Sequence, residues 1–564
     1  MIWMRVRISL NKGLVPLLIS SLLMVLCLAG CAQDSRILDN GQSRQLEYSV
    51  STHGWNNSNR SNKSSDQKVF SRATPITGNA FDTSNSFNVI ADVNKVGSWS
   101  TEVNNETVSY SSTNKIWQTS ATHYWPGSGS TVNFYAYYPT SISSSITHTA
   151  GSAPVLSYTV PDNATDQIDI LASSKTGVAG DSYNQTPVDF KHIFAAIQFS
   201  VGSSGLPSGT ISSISISNVA NSGTYTFGSG WSDVTGSKTF TVFPSTTISG
   251  TSGESIMSGT YTLIMIPQAF SNAVITLTYN TGTTYTKTIS GTWSTGNTYT
   301  YNLSKPVNIG DYYYSDGTWG SIAEHTNSAA SAIGVIFSNS TSNIDKGHNW
   351  THGYAMALQN AGSATATYQW YTSESSNPTG SSVITANQIM SDKDGYTYTS
   401  YIQTSGYAAG IAARGYTAKD RSGKTLATPS CSSGWYLPSS GQWYDICVNL
   451  GGMVVASGKA YTSSISGCLI WCSGDTSGDT HNYSSLCASN LNVYLNGLKN
   501  NGYSVDLFSN NYEYWGSSEY DISLASCVYS DDSGVYSGDS ANGEVGVSSS
   551  HKMLWHSVRS VIAF

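Results

Sequence analysis

Charge is scarce in this chain. Asp, Glu, Lys and Arg make up 11% of 564 residues, against roughly 25% in an ordinary globular protein. The net charge is −8, with no basic stripe, which argues against nucleic acid as a partner. Cysteine is missing from the whole stretch between Cys31 and Cys431. Beyond the first 30 residues no apolar run is long enough for a membrane-spanning helix. The chain has no G-x-S-x-G, no Walker loop and no nucleotide-binding glycine pattern, and no cysteine is flanked by basic residues that would activate it. What is plentiful is Gly (52), Tyr (36) and, throughout, Ser, Thr and Asn. That mixture suits many short strands joined by polar turns, and the length calls for two to four domains.

The N-terminus reads as an export signal. Arg5, Arg7 and Lys12 precede an apolar run from Leu14 to Leu28, followed by Leu28-Ala29-Gly30-Cys31. This resembles a bacterial lipoprotein signal, which implies cleavage before Cys31 and a lipid anchor on that cysteine. Residues 1–30 are then the signal peptide, and 31–72 a polar leader. The leader ends at Lys68-Val-Phe-Ser-Arg72-Ala73, where Arg72 is a candidate site for a trypsin-like protease. In an oxidising envelope compartment the six remaining cysteines, Cys431, Cys447, Cys468, Cys472, Cys487 and Cys527, are candidate disulfide partners. They allow 15 pairings. Cys431 and Cys447 frame one segment and are a candidate staple.

Residues 73–304 carry β patterning. Thr131-Val-Asn-Phe-Tyr-Ala-Tyr-Tyr138 alternates, with Val132, Phe134, Ala136 and Tyr138 on one face, and Pro139 closes it. Val188, Phe190, His192 and Phe194 share one parity and Ile197, Phe199 and Val201 the other, so a bulge or tight bend is expected near Ala195-Ala196. Residues 260–267 read as a buried strand, and Trp293 to Leu303 as a turn feeding a final strand. Regular short strands predict sandwiches. The order Arg72-Ala-Thr-Pro-Ile, Tyr124-Trp-Pro126, Phe134-Tyr-Ala-Tyr-Tyr-Pro139, Val188-Asp-Phe-Lys-His192, Ile266-Pro-Gln268 and Trp293-x-x-Gly296-x-x-Tyr299-x-Tyr301 resembles the fimbrillin family. The resemblance implies two β-sandwiches, over 73–187 and 188–304. It also implies export as a lipoprotein, cleavage after Arg72 to leave Ala73 as the new N-terminus, and assembly with other pilus subunits through β-strand exchange.

Residues 305–564 change character. Gly434-Trp-Tyr-Leu-Pro438, Gln442-Trp443, Glu513-Tyr-Trp-Gly-Ser-Ser-Glu519 and Val558-Arg-Ser-Val-Ile-Ala-Phe564 follow in order. They resemble a bacterial domain of the C-type-lectin-like fold, with Gly516 and Ser560 replacing the usual Ser and Pro. That implies an α+β domain in which Trp435 and Trp443 are core. Residues 441–450 fit a helix, with Trp443, Ile446, Cys447 and Leu450 at helical spacing. The calcium triplets of sugar-binding relatives, E-P-N or Q-P-D with W-N-D, are missing. Asp392-Lys-Asp-Gly395 lacks the later ligands of a calcium loop and reads as a turn. His348 and His352 lack the intervening Glu of a zinc motif. No metal, cofactor or catalytic residue is expected, and the ligand-binding residues stay unassigned.

The fold class expected is mainly β, two fimbrillin-like sandwiches followed by an α+β lectin-like domain. The function expected is a non-enzymatic fimbrial adhesin subunit at the cell surface and outer membrane, at the pilus tip. Its C-terminal domain would meet a host or bacterial glycan or protein. Two alternatives remain open: a non-polymerising surface lipoprotein that binds polysaccharide, and an envelope enzyme of formylglycine-generating-like fold. The latter would need His348, His352 or a cysteine.

Overall fold

The computed structural model describes residues 44–57, 81–257, 262–453, 461–462, 469–470, 483–531 and 544–564. Residues 1–30, expected to be a signal peptide, and Cys31, Arg72, Ala73, Cys468 and Cys472 lie outside these residues. The architecture is mainly β. No helix among the described residues is long and apolar enough to cross a membrane.

In the first unit, Ser86–Lys95, Ser98–Ser111, Ile116–Thr119, Ser130–Tyr138, Leu171–Ala179 and Thr186–His192 form one sheet, and Tyr48–Thr52 closes it into a barrel. The closing strand comes from the leader. Its pairing with Thr186–Phe190 is parallel and continuous over five residues, whereas its other edge touches Ile116–Thr119 only at Tyr48↔Trp117. Val132, Phe134 and Ala136 face the barrel core, as their alternation predicts. Tyr135 and Tyr137, on the opposite face, are also buried, because they pack into the core of the second unit. A strand covered on both sides needs apolar residues at every position, which explains the run Phe-Tyr-Ala-Tyr.

The phase slip after His192 has a simple origin. The strand Thr186–His192 ends in the first sheet, and Ala195–Val201 begins in another, paired with Leu263–Met265 and Asn297–Leu303. The chain hands over between two sheets at Ile193-Phe194, so the parity change marks a crossing rather than a bulge. The second unit adds a five-stranded sheet from Gly209–Val219, Lys238–Val242, Thr246–Ile248, Ala269–Tyr279 and Thr284–Thr292. Residues from 142 to 170, ahead of the crossing, contribute to this second core too.

The C-terminal unit is α+β. Its central sheet runs Trp319–Gly320, Tyr312–Tyr314, Ala332–Ser338, Tyr354–Ala357 and Val561–Ala563, so the last strand lies beside strands from the start of the unit. Alternate residues feed separate cores on its two faces: Val335 and Phe337 on one side, Ile336 and Ile562 on the other. A second sheet comprises Tyr512–Glu519, Leu524–Asp531 and Glu544–His551, with the helix Tyr483–Lys499 packed nearby.

The segment around Trp435 builds this core. Trp435 and Trp443 are buried, and the Trp443 indole N–H donates to the Trp515 carbonyl at 3.0 Å. Ser439 caps the helix Ser440–Asp445 through a reciprocal box with Gln442. Pro438 therefore stands one residue before the cap rather than in the first turn. The expected helix over 441–450 is α-helical only to Asp445 and widens into a π turn over Ile446–Leu450.

Candidate assembly groove and candidate ligand clefts

The leader strand is held along its whole described length. The Trp125 amide donates to the Arg44 carbonyl (2.8 Å), Leu46 N–H to His123, Thr186 N–H to Glu47, and His53 N–H to Phe190. Leu46 and Tyr48 are buried, and the Tyr48 ring meets Phe87 and Phe134 edge-on at 6.4 Å. On the outer face, Ser51 Oγ and His53 Nε2 both contact the Asp189 carboxylate, at 2.9 and 2.7 Å. Beyond Thr52 the chain reaches the second unit. Trp55 stacks on His192 with centroids 3.9 Å apart, and Asn56–Asn57 pairs in parallel with Asn297 and Thr298. The leader thus bridges both β units. Its few apolar residues fit either a tether or a pro-segment by sequence, and four of them, Leu46, Tyr48, Val50 and Trp55, pack against the cores of the two β units.

This fit is imperfect in its polar groups. Tyr48 Oη, Trp55 Nε1, Thr186 Oγ1 and His192 Nε2 are buried without a hydrogen-bond partner among the described residues. All four line the leader's contact surface. Each such group costs about 1–3 kcal/mol when stranded. Burial, and secondarily the nearby Glu106, pushes the Tyr48 hydroxyl far above its ordinary pKa, so it stays protonated.

Three clefts mark the C-terminal unit among the described residues, one of them, about 750 Å³, lined by Tyr368, Tyr416 and Lys419. The largest, about 1070 Å³, lies where its loops meet the second β unit. It is lined by Ser203, Thr251, His348, Trp350, His352 and Cys431, which brings together both histidines singled out by sequence. His348 stacks on Trp350, and His352 lies tilted against Trp319 with centroids 4.6 Å apart. Burial lowers the His352 pKa, keeping the ring neutral near pH 7. Among the described residues no group of three His, Cys, Asp or Glu side chains is placed to hold a metal. The Asp392 segment is a turn between two short helices: Asp392 accepts from Ser518 Oγ at 2.6 Å and Lys393 pairs with Asp445 at 2.7 Å.

The second cleft, about 770 Å³, opens beside the sheet Tyr512–Glu519 and contains Asp506, Glu513, Asp531 and Trp555. Sequence patterns did not single out Trp555 or Asp506. The motif residues Glu519 and Arg559 prove to be buried polar hubs. Glu519 pairs with the fully buried Lys552 at 2.5 Å and accepts from Thr379. Arg559 donates to the carbonyls of Ala357, Leu358 and Asp506 and to Asn360 Oδ1. Lys552 also went unflagged, because a lone lysine in a polar loop gives no pattern.

The cysteines distribute differently from the expected staple. Cys431 lies 3.7 Å from Tyr313 Oη, while Cys447 is hydrogen-bonded to Cys487; all three are thiols in this structure. The Cys487 contact, reinforced by burial, pushes the Cys447 thiol up. Cys527 is buried in the second sheet.

With this geometry in hand, a family description, "Fimbrillin-like", matches residues 71–311. The chain carries a fimbrillin-like domain. The match begins beside Arg72 and leaves the strand Tyr48–Thr52 outside it. No curated protein matches the chain. Solved structures that it resembles include a fimbrial protein from Bacteroides ovatus, at 15% identity over 93% of this chain and 100% of that one, with a TM-score of 0.27. A fimbrial protein from Bacteroides vulgatus matches at 17% identity over 39% and 88%, with a TM-score of 0.31. The tip fimbrial protein Mfa3 from Porphyromonas gingivalis, with a C-terminal truncation, matches at 11% identity over 40% and 91%, with a TM-score of 0.25.

Proposed function

We propose that this protein is a surface fimbrial subunit whose leader strand is a removable place-holder and whose C-terminal lectin-like domain makes the adhesive contact. The observation that carries the reading is the strand Tyr48–Thr52. It lies upstream of the fimbrillin-like match, yet it completes the barrel of the first unit. Cleavage after Arg72 would sever it from the folded domain. Its departure would leave the edges of Thr186–His192 and Ile116–Thr119 open, a groove shaped for a strand from another subunit. Lipidation at Cys31 would hold the uncut form at the outer membrane.

The test is the N-terminus of the protein purified from its native cells. Ala73 is expected for the assembled form. Arg72→Ala should be exported and acylated yet stay out of pili; finding this variant polymerised would overturn the cleavage role. An intact acylated Cys31 in mature wild-type protein would favour the non-polymerising lipoprotein.

A further inference from the structure

Among the described tryptophans Trp555 alone is exposed, at 62%. Its neighbours Met553 and Leu554 are exposed as well. Leaving so much apolar surface in water is unfavourable by about 25 cal/mol per Å², and in a loose loop it would have little meaning. Here the presentation is rigid. Three residues earlier, the buried Lys552 ammonium donates to the carbonyls of Ser376, Asp521 and Ile522 and to the Glu519 carboxylate. Four residues later, Arg559 is buried with every nitrogen bonded. Between these anchors, Trp555–His556 pairs with Tyr368–Gln369. His556 turns inward against Trp515 and binds Glu513 Oε2 at 2.7 Å. Successive residues on a strand face opposite ways, so the inward His556 sets Trp555 outward.

The cleft beside this indole supplies Asn360, Asp506, Asn511, Glu513, Tyr514 and Asp531. Among the described residues its lining contains neither Lys nor Arg. Carboxylates accept hydrogen bonds and amides both donate and accept, which suits a ligand dense in hydroxyls. A flat aromatic face suits the C–H face of a pyranose ring. The exposed lining offers three carboxylates, while the buried Arg559 is spent on Asn360 Oδ1 and on the carbonyls of Ala357, Leu358 and Asp506, so the groups that face a ligand oppose an anionic one.

We propose that this cleft binds a neutral saccharide, with Trp555 as the stacking platform and Asp506 and Glu513 as hydroxyl acceptors. This deepens the adhesin reading, on which it rests, by naming the ligand class and the residues. The test uses the full mature chain in calorimetry against mannotriose, cellotriose and N-acetyllactosamine, with 3′-sialyllactose and digalacturonic acid as acidic probes. At least one neutral probe should bind and both acidic probes should fail. Trp555→Ala should weaken neutral binding by about tenfold, with Trp555→Phe restoring part of it. The melting temperature should be unchanged, since the ring is exposed. Binding unaffected by Trp555→Ala, preference for the acidic probes, or no binding by any probe would overturn the site. Incorporation into pili is scored separately. Sugar binding without incorporation would sink the fimbrial reading alone, and incorporation without sugar binding would sink the site alone.

Discussion

Tyr48 carries a hydroxyl that the barrel core gives no partner. Tyr48→Phe keeps the ring against Phe87 and Phe134 and removes the stranded group, so the uncut protein should gain about 1 kcal/mol. Thermal unfolding of the leader-bearing form would register the gain, and an unchanged or lower midpoint would refute it. Gly516 is a second position where one atom matters. A Cβ there would stand 2.3 Å from Ser526 Oγ and 3.3 Å from the Pro438 carbonyl. Gly516→Ala is expected to cost about 1–3 kcal/mol through overpacking, and Ser526→Gly in the same chain should recover most of it. His352 predicts a pH dependence. Its folded pKa lies below 6.5 because burial disfavours the charged ring. Once unfolded it takes up a proton near pH 6.5, so its contribution is complete above that value and is lost as pH falls toward the folded pKa. Stability measured from pH 7 downward should decline, and His352→Gln should flatten the slope in that window.

Among the elements, those whose apolar residues recur at a regular local spacing were readable before any coordinates. Val132, Phe134 and Ala136 announced their strand, and Trp443, Ile446, Cys447 and Leu450 announced their helical segment. Elements whose meaning depends on distant chain were not. The parity change after His192 was readable as a bulge or a tight bend, and a bend stands at Phe194, but that it carries the chain from one sheet to another is encoded in no local pattern. Sequence could not choose between tether and pro-segment for the leader, because Leu46, Tyr48, Val50 and Trp55 are too few to build a core alone, although they suffice to complete one. Trp555 was invisible because exposure is a property of the packed molecule. Cys447 and Cys487 illustrate the same gap. Fifteen pairings were open by sequence, and the fold sets these two thiols in contact. In exported protein they are expected to be linked, and non-reducing peptide mapping should recover Cys447 bound to Cys487. Such a bridge would contribute about 2–4 kcal/mol, and Cys487→Ser should lower the midpoint of the native form while leaving the reduced form nearly unchanged. Recovery of Cys447 bound to Cys431 would contradict the observed placement.

The whole molecule is three packed units in series, with one short peptide laid across the first two. Residues 44–57 enter the barrel, stack Trp55 on His192 at the handover, and pair with Asn297 and Thr298 in the next sheet. This lane runs parallel to both of its main partners, Thr186–Phe190 and Asn297–Thr298, in the same chain direction. Parallel neighbours drawn apart along their common axis are loaded in shear: every rung of the ladder takes strain together, instead of opening one at a time as a peeled edge does. A strand seated in this lane would therefore give way reluctantly to an end-on tug and readily to a sideways lift.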